Sequence, residues 1–194
     1  MPFRFKRSEV CLPDAQLNHM EIALSFFENH VDGAATLSLT ARAPLSVLTL
    51  DARELEVFEV SFLDASLGDS SPVRCAYQVD AARHKLAVTL PHALPEGARF
   101  QISTRCRCVP SDSLLEGIYR DVTPPGAPQQ FMSQCQQWGF QRILPVIDDC
   151  TAKCTFRTTL EGDARYTHLI SNGDVDRTAR SEERRVGKEC RSRW

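Results

Sequence analysis

Between Met20 and Cys108 the apolar residues recur at every second position in short runs that Gly, Pro, Asp and Ser keep interrupting. That pattern admits strands and little else, because side chains two apart share one face of an extended chain. Met20, Ile22, Leu24 and Phe26 mark one face of a first strand whose other face carries Glu21 and Ser25. Val31-Asp32-Gly33 reads as a turn, after which Leu37, Leu39 and Ala41 resume the period of two. Further runs span Val47 to Leu50, Leu55 to Phe62, Val73 to Val79, Lys85 to Leu90 and Arg99 to Cys108. Turn-rich stretches such as Leu67 to Pro72 and Pro91 to Gly97 separate them. Roughly six or seven short strands at about ten-residue spacing predict an all-β fold, an antiparallel sandwich or saddle-like double sheet.

After Pro110 the texture changes. Leu115-Glu116-Gly117-Ile118-Tyr119-Arg120 leads into a bend containing Pro124, Pro125, Gly126 and Pro128, which reads as a surface loop. Phe131 to Phe156 then gathers two glutamines around a cysteine (Gln134, Cys135, Gln136), Trp138-Gly139-Phe140, Arg142, Asp148-Asp149 and a Cys-x3-Cys at Cys150 and Cys154. Such a mixture suits a functional rim better than a scaffold. Alternation returns at Cys154, Phe156, Thr158 and Leu160, and Tyr166 to Ser171 reads as one more strand ending at the hairpin signal Asn172-Gly173. A further strand should begin where the chain soon stops, which suggests truncation.

The last fifteen residues, Arg180 to Trp194, resemble the translation of a sequencing-adaptor oligonucleotide and are expected to form a non-native, disordered tail. They hold six of the 23 Lys and Arg and three of the 25 Asp and Glu, leaving 17 basic against 22 acidic groups in residues 1–179. No basic surplus remains to suggest nucleic acid. The length suits one domain with an ample core. No apolar run reaches the roughly 18 residues of a spanning helix. Arg4, Lys6 and Arg7 are not followed by a secretory apolar region, so a cytoplasmic address without membrane association is expected. Seven cysteines outside the tail, at irregular spacings, read as reduced thiols rather than a disulfide framework.

The Phe131 to Phe156 run resembles the zinc aminopeptidase N family, in which a Gln-Cys-Glu/Gln core is followed by a Gly-Phe/Ala-Arg step, a Pro/Asp-rich elbow and a strand. Leu12-Pro13 with the Glu21 to Phe26 strand, the Leu115 to Tyr119 segment and Ser171-Asn172-Gly173 fall in the order of that family's amino-terminal domain, so the resemblance covers about residues 5–176. It implies that residues 1–179 are an aminopeptidase N-like amino-terminal domain. The intact protein would be a zinc-dependent exopeptidase removing amino-terminal residues from peptides.

In that family the zinc sits on a His-Glu-x-x-His helix of a following catalytic domain. The five histidines here (His19, His30, His84, His92, His168) never approach that spacing. Zinc is therefore expected outside this chain, with no metal and no catalytic residue within it. The implied partners are a peptide amino terminus and a catalytic domain of the same polypeptide. The resemblance implies that Gln134 and Gln136 bind substrate. In the classical branch a Glu occupies the second position and holds the substrate ammonium, whereas Gln136 matches the branch resembling aminopeptidase B and leukotriene hydrolase.

Other residues of the stretch have blander readings. Cys135 should be a small buried hydrophobe, and Trp138 and Phe140 core anchors sharing one face. Arg142 should be held by Asp148 or Asp149 and fix the loop. The two aspartates themselves fit a turn better than a metal site. Cys106 and Cys108 share a strand face as packing residues. Two alternatives stay open, a stand-alone β-sandwich module for peptides or glycans with Trp138 and Tyr119 as its platform, and a small structural zinc domain using Cys135, Cys150, Cys154 and His168.

Overall fold

A computed structural model describes residues 11–65, 71–163, 165–166 and 168–175, and the backbone alone of 188–192. The readings placed on Arg4, Lys6, Arg7 and most of the Leu67 to Pro72 turn lie outside the described residues.

The alternating runs become strands because each can bury one row of side chains. β1 (Ala15–Phe26) and β2 (Val31–Ala41) form an antiparallel pair, and β2 pairs on its other side with β8 (Arg99–Cys108). β4 (Glu56–Asp64) lies against β8, with the short β5 (Val73–Arg74) at the rim. On the far side β1 pairs with β11 (Thr155–Gly162), followed outward by β13 (Lys188–Ser192) and β12 (Asp174–Val175). These eight strands make the large sheet among the described residues. β3 (Leu45–Asp51), β7 (Lys85–Leu94) and β6 (Tyr77–Asp80) make a smaller sheet, and β9 (Gly117–Arg120) and β10 (Phe131–Gln134) a third, two-stranded one.

One core joins the two larger sheets. Met20, Leu37, Val60, Phe100 and Ile102 from the large sheet and Leu48, Leu50, Leu86 and Val88 from the small one are all essentially inaccessible. Each such side chain contributes roughly 1.5–3 kcal/mol relative to exposure. Cys106 and Cys108 belong to the same buried row, and burial pushes their thiols up to about 12 and about 11. They are packing residues, as their shared face predicts. Among the described residues no helix is long and apolar enough to cross a membrane.

The all-β expectation holds, with local corrections. Val31, Asp32 and Gly33 lie inside β2, and the turn falls on residues 27–30 instead, closed by the Phe27 N–H donating to the His30 carbonyl at 3.0 Å. Gly33 is there for space: a Cβ on it would stand 2.6 Å from Leu144 Cδ2. The Val73 to Val79 run splits into β5 and β6 on different sheets, turning at buried Cys75, whose N–H donates to the Val60 carbonyl. β7 continues past Pro91 to Leu94 because its register with β3 jumps from Val47↔Thr89 to Leu45↔Leu94, leaving Pro91 where no ladder N–H is required. Within the otherwise antiparallel large sheet, β1 and β11 are parallel, with Ile22 opposite Thr158 and Leu24 opposite Leu160.

The described residues of the Tyr166 to Ser171 run form no strand, because Tyr166 and buried Leu169 fold back over Gly162. Lys188–Ser192 pairs with β11, where the sequence reading expected a disordered tail. An open strand edge offers its N–H and C=O groups to any extended backbone, whatever its side chains. The other residues of 180–194 lie outside the described set.

Asp32 and Arg107 face each other across β2 and β8, joined by Nε to Oδ1 at 2.7 Å and Nη2 to Oδ2 at 3.1 Å. Arg107 holds the Asp32 carboxyl below its ordinary value of 3.8. A depressed folded-state value gives stability that is present above the unfolded value and lost as pH falls through the folded one. Asp32→Asn should therefore lower the urea midpoint more at about pH 6 than at about pH 3. An equal loss at both would refute this role for the pair.

Candidate functional site

The Gln-Cys-Gln stretch is placed by the two-stranded sheet. Gln134 ends β10 directly opposite Gly117, the first residue of β9. The chain then turns tightly, with the Gly139 N–H donating to the Cys135 carbonyl at 2.9 Å, and passes into a 3-10 turn over Phe140–Arg142. Beyond it Ile143, Leu144, Val146 and Ile147 are buried, and Val146 exchanges two backbone hydrogen bonds with Asp51. The turn is thus anchored to the paired strands on one side and to the core on the other.

Two glycines let the backbones approach. Gly139 has φ −82° and ψ −17°, open to any residue. A Cβ there would nevertheless lie 2.3 Å from the Gln134 carbonyl oxygen and 3.0 Å from the Gly117 nitrogen. Gly117 has φ +69°, and its added Cβ would meet Arg142 Cβ at 2.7 Å. Arg142, with only 9% of its side chain accessible, donates from Nε to Glu116 Oε2 at 3.0 Å and from Nη1 to Glu54 Oε2.

The carboxylates expected on Arg142, Asp148 and Asp149, are engaged elsewhere. Asp148 accepts from the Gln141 N–H at 3.1 Å, and Asp149 accepts from the Thr151 N–H at 2.7 Å and from its hydroxyl. Both aspartates serve the turn. Burial raises the Asp148 carboxyl above its ordinary range, reinforced by the Asp51 and Asp149 charges against the Gln141 and Phe140 N–H groups, while Thr151 lowers Asp149.

Gln134 and Gln136 are both exposed, and neither side chain has a hydrogen-bond partner among the described residues. Cys135 between them is not the buried hydrophobe expected. It is solvent-accessible on the wall of a cavity of about 830 Å³, although the protein atoms crowded around it still push its thiol up to about 11. Leu24 and Phe26 of β1, Phe131 of β10, Phe156 and Leu160 of β11, and Tyr166 line that cavity. The Phe131 ring stands 5.8 Å from Phe26 and 5.9 Å from Tyr166, so three tilted aromatic rings cluster on its wall.

Trp138 is 60% exposed, contrary to the core role expected, while Phe140 packs on the core 6.3 Å from Phe156. The shared-face expectation assumed an extended chain, and the turn at 135–142 breaks it. Cys150 is exposed and Cys154 buried. Among the described residues no three His, Cys, Asp or Glu side chains stand where they could hold a metal. Glu54 and Glu116 were not singled out as partners of Arg142, since each is remote from it in sequence. The one legible hint was the placement of Glu116 beside a glycine.

A sequence profile of the Peptidase M1 N-terminal domain matches residues 15–189, so the chain belongs to that family. Among solved structures, the M1 zinc metallopeptidase of Deinococcus radiodurans, as a point mutant bound to a Tyr-Ser-Ala substrate, superposes with a TM-score of 0.70 at 20% identity, covering 93% of this chain and 39% of that one. A second structure of the Deinococcus radiodurans enzyme gives 0.71 at 20% identity with the same coverage. A two-domain M1 zinc metallopeptidase mutant bound to L-arginine also gives 0.71 at 20% identity, again covering 93% and 39%. At that identity the likeness concerns the fold, and the chain spans 39% of the length of these structures. A search of curated proteins returned no match.

Gly139→Ala should lower unfolding free energy by about 1–3 kcal/mol, because the clash falls on backbone atoms that move only if β9 and β10 move. An unchanged urea midpoint, with unchanged amide exchange at the Gln134–Gly117 pairing, would rule out a glycine requirement there.

Proposed function

We propose that this chain forms the amino-terminal, substrate-cleft part of a zinc-dependent aminopeptidase, with Gln134 and Gln136 receiving the amino terminus of a peptide. The observation that carries the reading is the pair of unengaged glutamine amides on a turn braced from both sides. An amide oxygen accepts a hydrogen bond from an ammonium group, and two of them two residues apart can share its three protons. Family membership supports the peptidase context, and the Tyr-Ser-Ala complex of a structural neighbour supports a peptide as the class of substrate.

The donor set of the described residues does not fit a zinc ion. In this reading the metal and the hydrolytic groups are carried by a catalytic domain of the same polypeptide outside this chain. The chain alone is then expected to release no residue from any peptide, with zinc supplied or not.

Glutamine rather than glutamate at 136 weakens the grip on an ammonium. Hydrogen bonds between two ionised groups are stronger than those with one neutral partner. At about 4 Å and an effective dielectric of about 20, a carboxylate would add about 4 kcal/mol of gross Coulomb attraction, much of it offset by its own desolvation. A net gain of about 1.4 kcal/mol, or about tenfold in affinity, is a reasonable remainder. Addition of Tyr-Ser-Ala should shift the side-chain amide resonances of Gln134 and Gln136, its N-acetyl form should not, and Gln136→Glu should bind the free peptide about tenfold more tightly. Equal responses to both peptides would defeat the proposal.

One observation favours a second reading, a stand-alone β-sandwich module that binds peptides or glycans: Trp138 is 60% exposed. Its other expected platform residue, Tyr119, is only partly accessible. The exposed large apolar side chains also include Val109, Leu114, Leu115, Val122 and Met132, carried by β10 and the segments flanking β9. Apolar surface of that kind fits packing against a further domain better than a carbohydrate platform. The chain alone should therefore self-associate and take up a hydrophobic dye, whereas a dye-silent monomer in sedimentation would argue for the module.

A further inference from the structure

We infer that Arg142 is a positioning residue whose grip on Glu54 and Glu116 sets the pose of the Gln134–Gln136 turn. The inference rests on the reading of that turn given above only for its consequence in substrate binding. Three separate segments meet at the guanidinium: Glu54 follows β3, Glu116 precedes β9, and Arg142 closes the 3-10 turn. Arg53 adds a second cation, 3.7 Å from Glu116 and 3.9 Å from Glu54, and its backbone N–H donates to the Gln141 carbonyl at 2.8 Å. Two cations and two carboxylates therefore form a balanced cluster around a side chain that is 9% accessible.

The grip is transmitted to the glutamines through backbone. The Arg142 stem lies against Gly117, which is the register partner of Gln134. The Arg142 N–H donates to the Gly139 carbonyl at 3.1 Å, and the Gly139 N–H to the Cys135 carbonyl. Glu54 has φ +56°, a left-handed conformation unusual for glutamate. Such a conformation persists where neighbours over-determine it, and the salt bridges to Arg142 and Arg53 are two such constraints here. A guanidinium presents donors along two directions in one plane and so reaches both carboxylates, which a single ammonium does less well.

Residue-resolved hydrogen exchange on this chain tests the inference. In Arg142→Met the hydrogen-bonded amides of the turn, those of Gly139 and Gln141, should exchange at least about tenfold faster while those of β2 and β8 stay as they are. Arg142→Lys should restore part of the protection. Should Arg142→Met fail to fold, Glu54→Gln removes one of the two carboxylates from an exposed position and should give a smaller acceleration confined to the same residues. A uniform acceleration across the domain, or none at Gly139 and Gln141, overturns the inference by leaving Arg142 a structural role only.

Peptide titration of the same variants separates this result from the substrate reading. If the turn loosens but the wild-type glutamines never sense a free amine, the positioning role stands and the substrate reading fails. If the wild-type chain senses the amine and Arg142→Met alters neither exchange nor discrimination, the positioning role fails alone.

Discussion

Strand β1 is hydrogen-bonded along both edges, and its two partners come from opposite ends of the described chain. β2 is reached by a tight turn, but β11 is parallel to β1, and a parallel neighbour needs a long connection. All the polypeptide between β2 and β11 is that connection. It completes the large sheet through β8, β4 and β5, lays the three-stranded sheet over the core, and delivers the chain to β11 from the correct end. The Gln134–Gln136 turn lies on the last part of this return. Its position therefore depends on the β1–β11 ladder as much as on its own local geometry.

The same ladder explains why a cavity sits beside the turn. Ile22 and Leu24 of β1 and Thr158 and Leu160 of β11 are matched in register and present one row toward the two-stranded sheet. β9 and β10 cover only part of that row. The floor of what is left open comes from β1 and β11 and is rigid, while much of its wall comes from irregular residues around Pro128 and Gln130 and around Tyr166 and Leu169. A site whose floor is a sheet and whose rim is a loop keeps its shape and can still vary in specificity.

The period-two rows of β1, β2, β7 and β8 were legible in the sequence because burial on one face imposes them. What hid the rest was a change of phase or of conformation. A bulge at Asn18 shifts the register between Leu17 and His19, so buried Ala15 and Leu17 are out of step with buried Met20 and Ile22, and β1 looked shorter than it is. Trp138 and Phe140 could be paired only by assuming an extended chain, and the 3-10 turn separates them. Cys135 kept its place between the glutamines but faced a cavity that no linear pattern encodes. Arg142 was recognisable as a residue needing a carboxylate, yet sequence distance pointed to Asp148 and Asp149, which the turn itself consumes. Long-range ion pairs leave no local trace, and here they were the part of the site that sequence could not supply.

The amide at position 136 makes that long-range part matter more. A carboxylate draws an ammonium by a charge interaction that falls slowly with distance and has little angular preference. A neutral amide relies on a hydrogen bond that weakens steeply once the donor leaves its line. The cluster of Arg53, Arg142, Glu54 and Glu116 is charge-balanced, so it adds little net field to compensate. If Gln134 and Gln136 receive a peptide amine, they must do so by direction rather than by charge, and direction is only as good as the pose of the turn. In the proposed reading a glutamine-based grip and a clamped turn are one solution, and the close approaches at Gly117 and Gly139 bring Arg142 against the backbone that carries the glutamines.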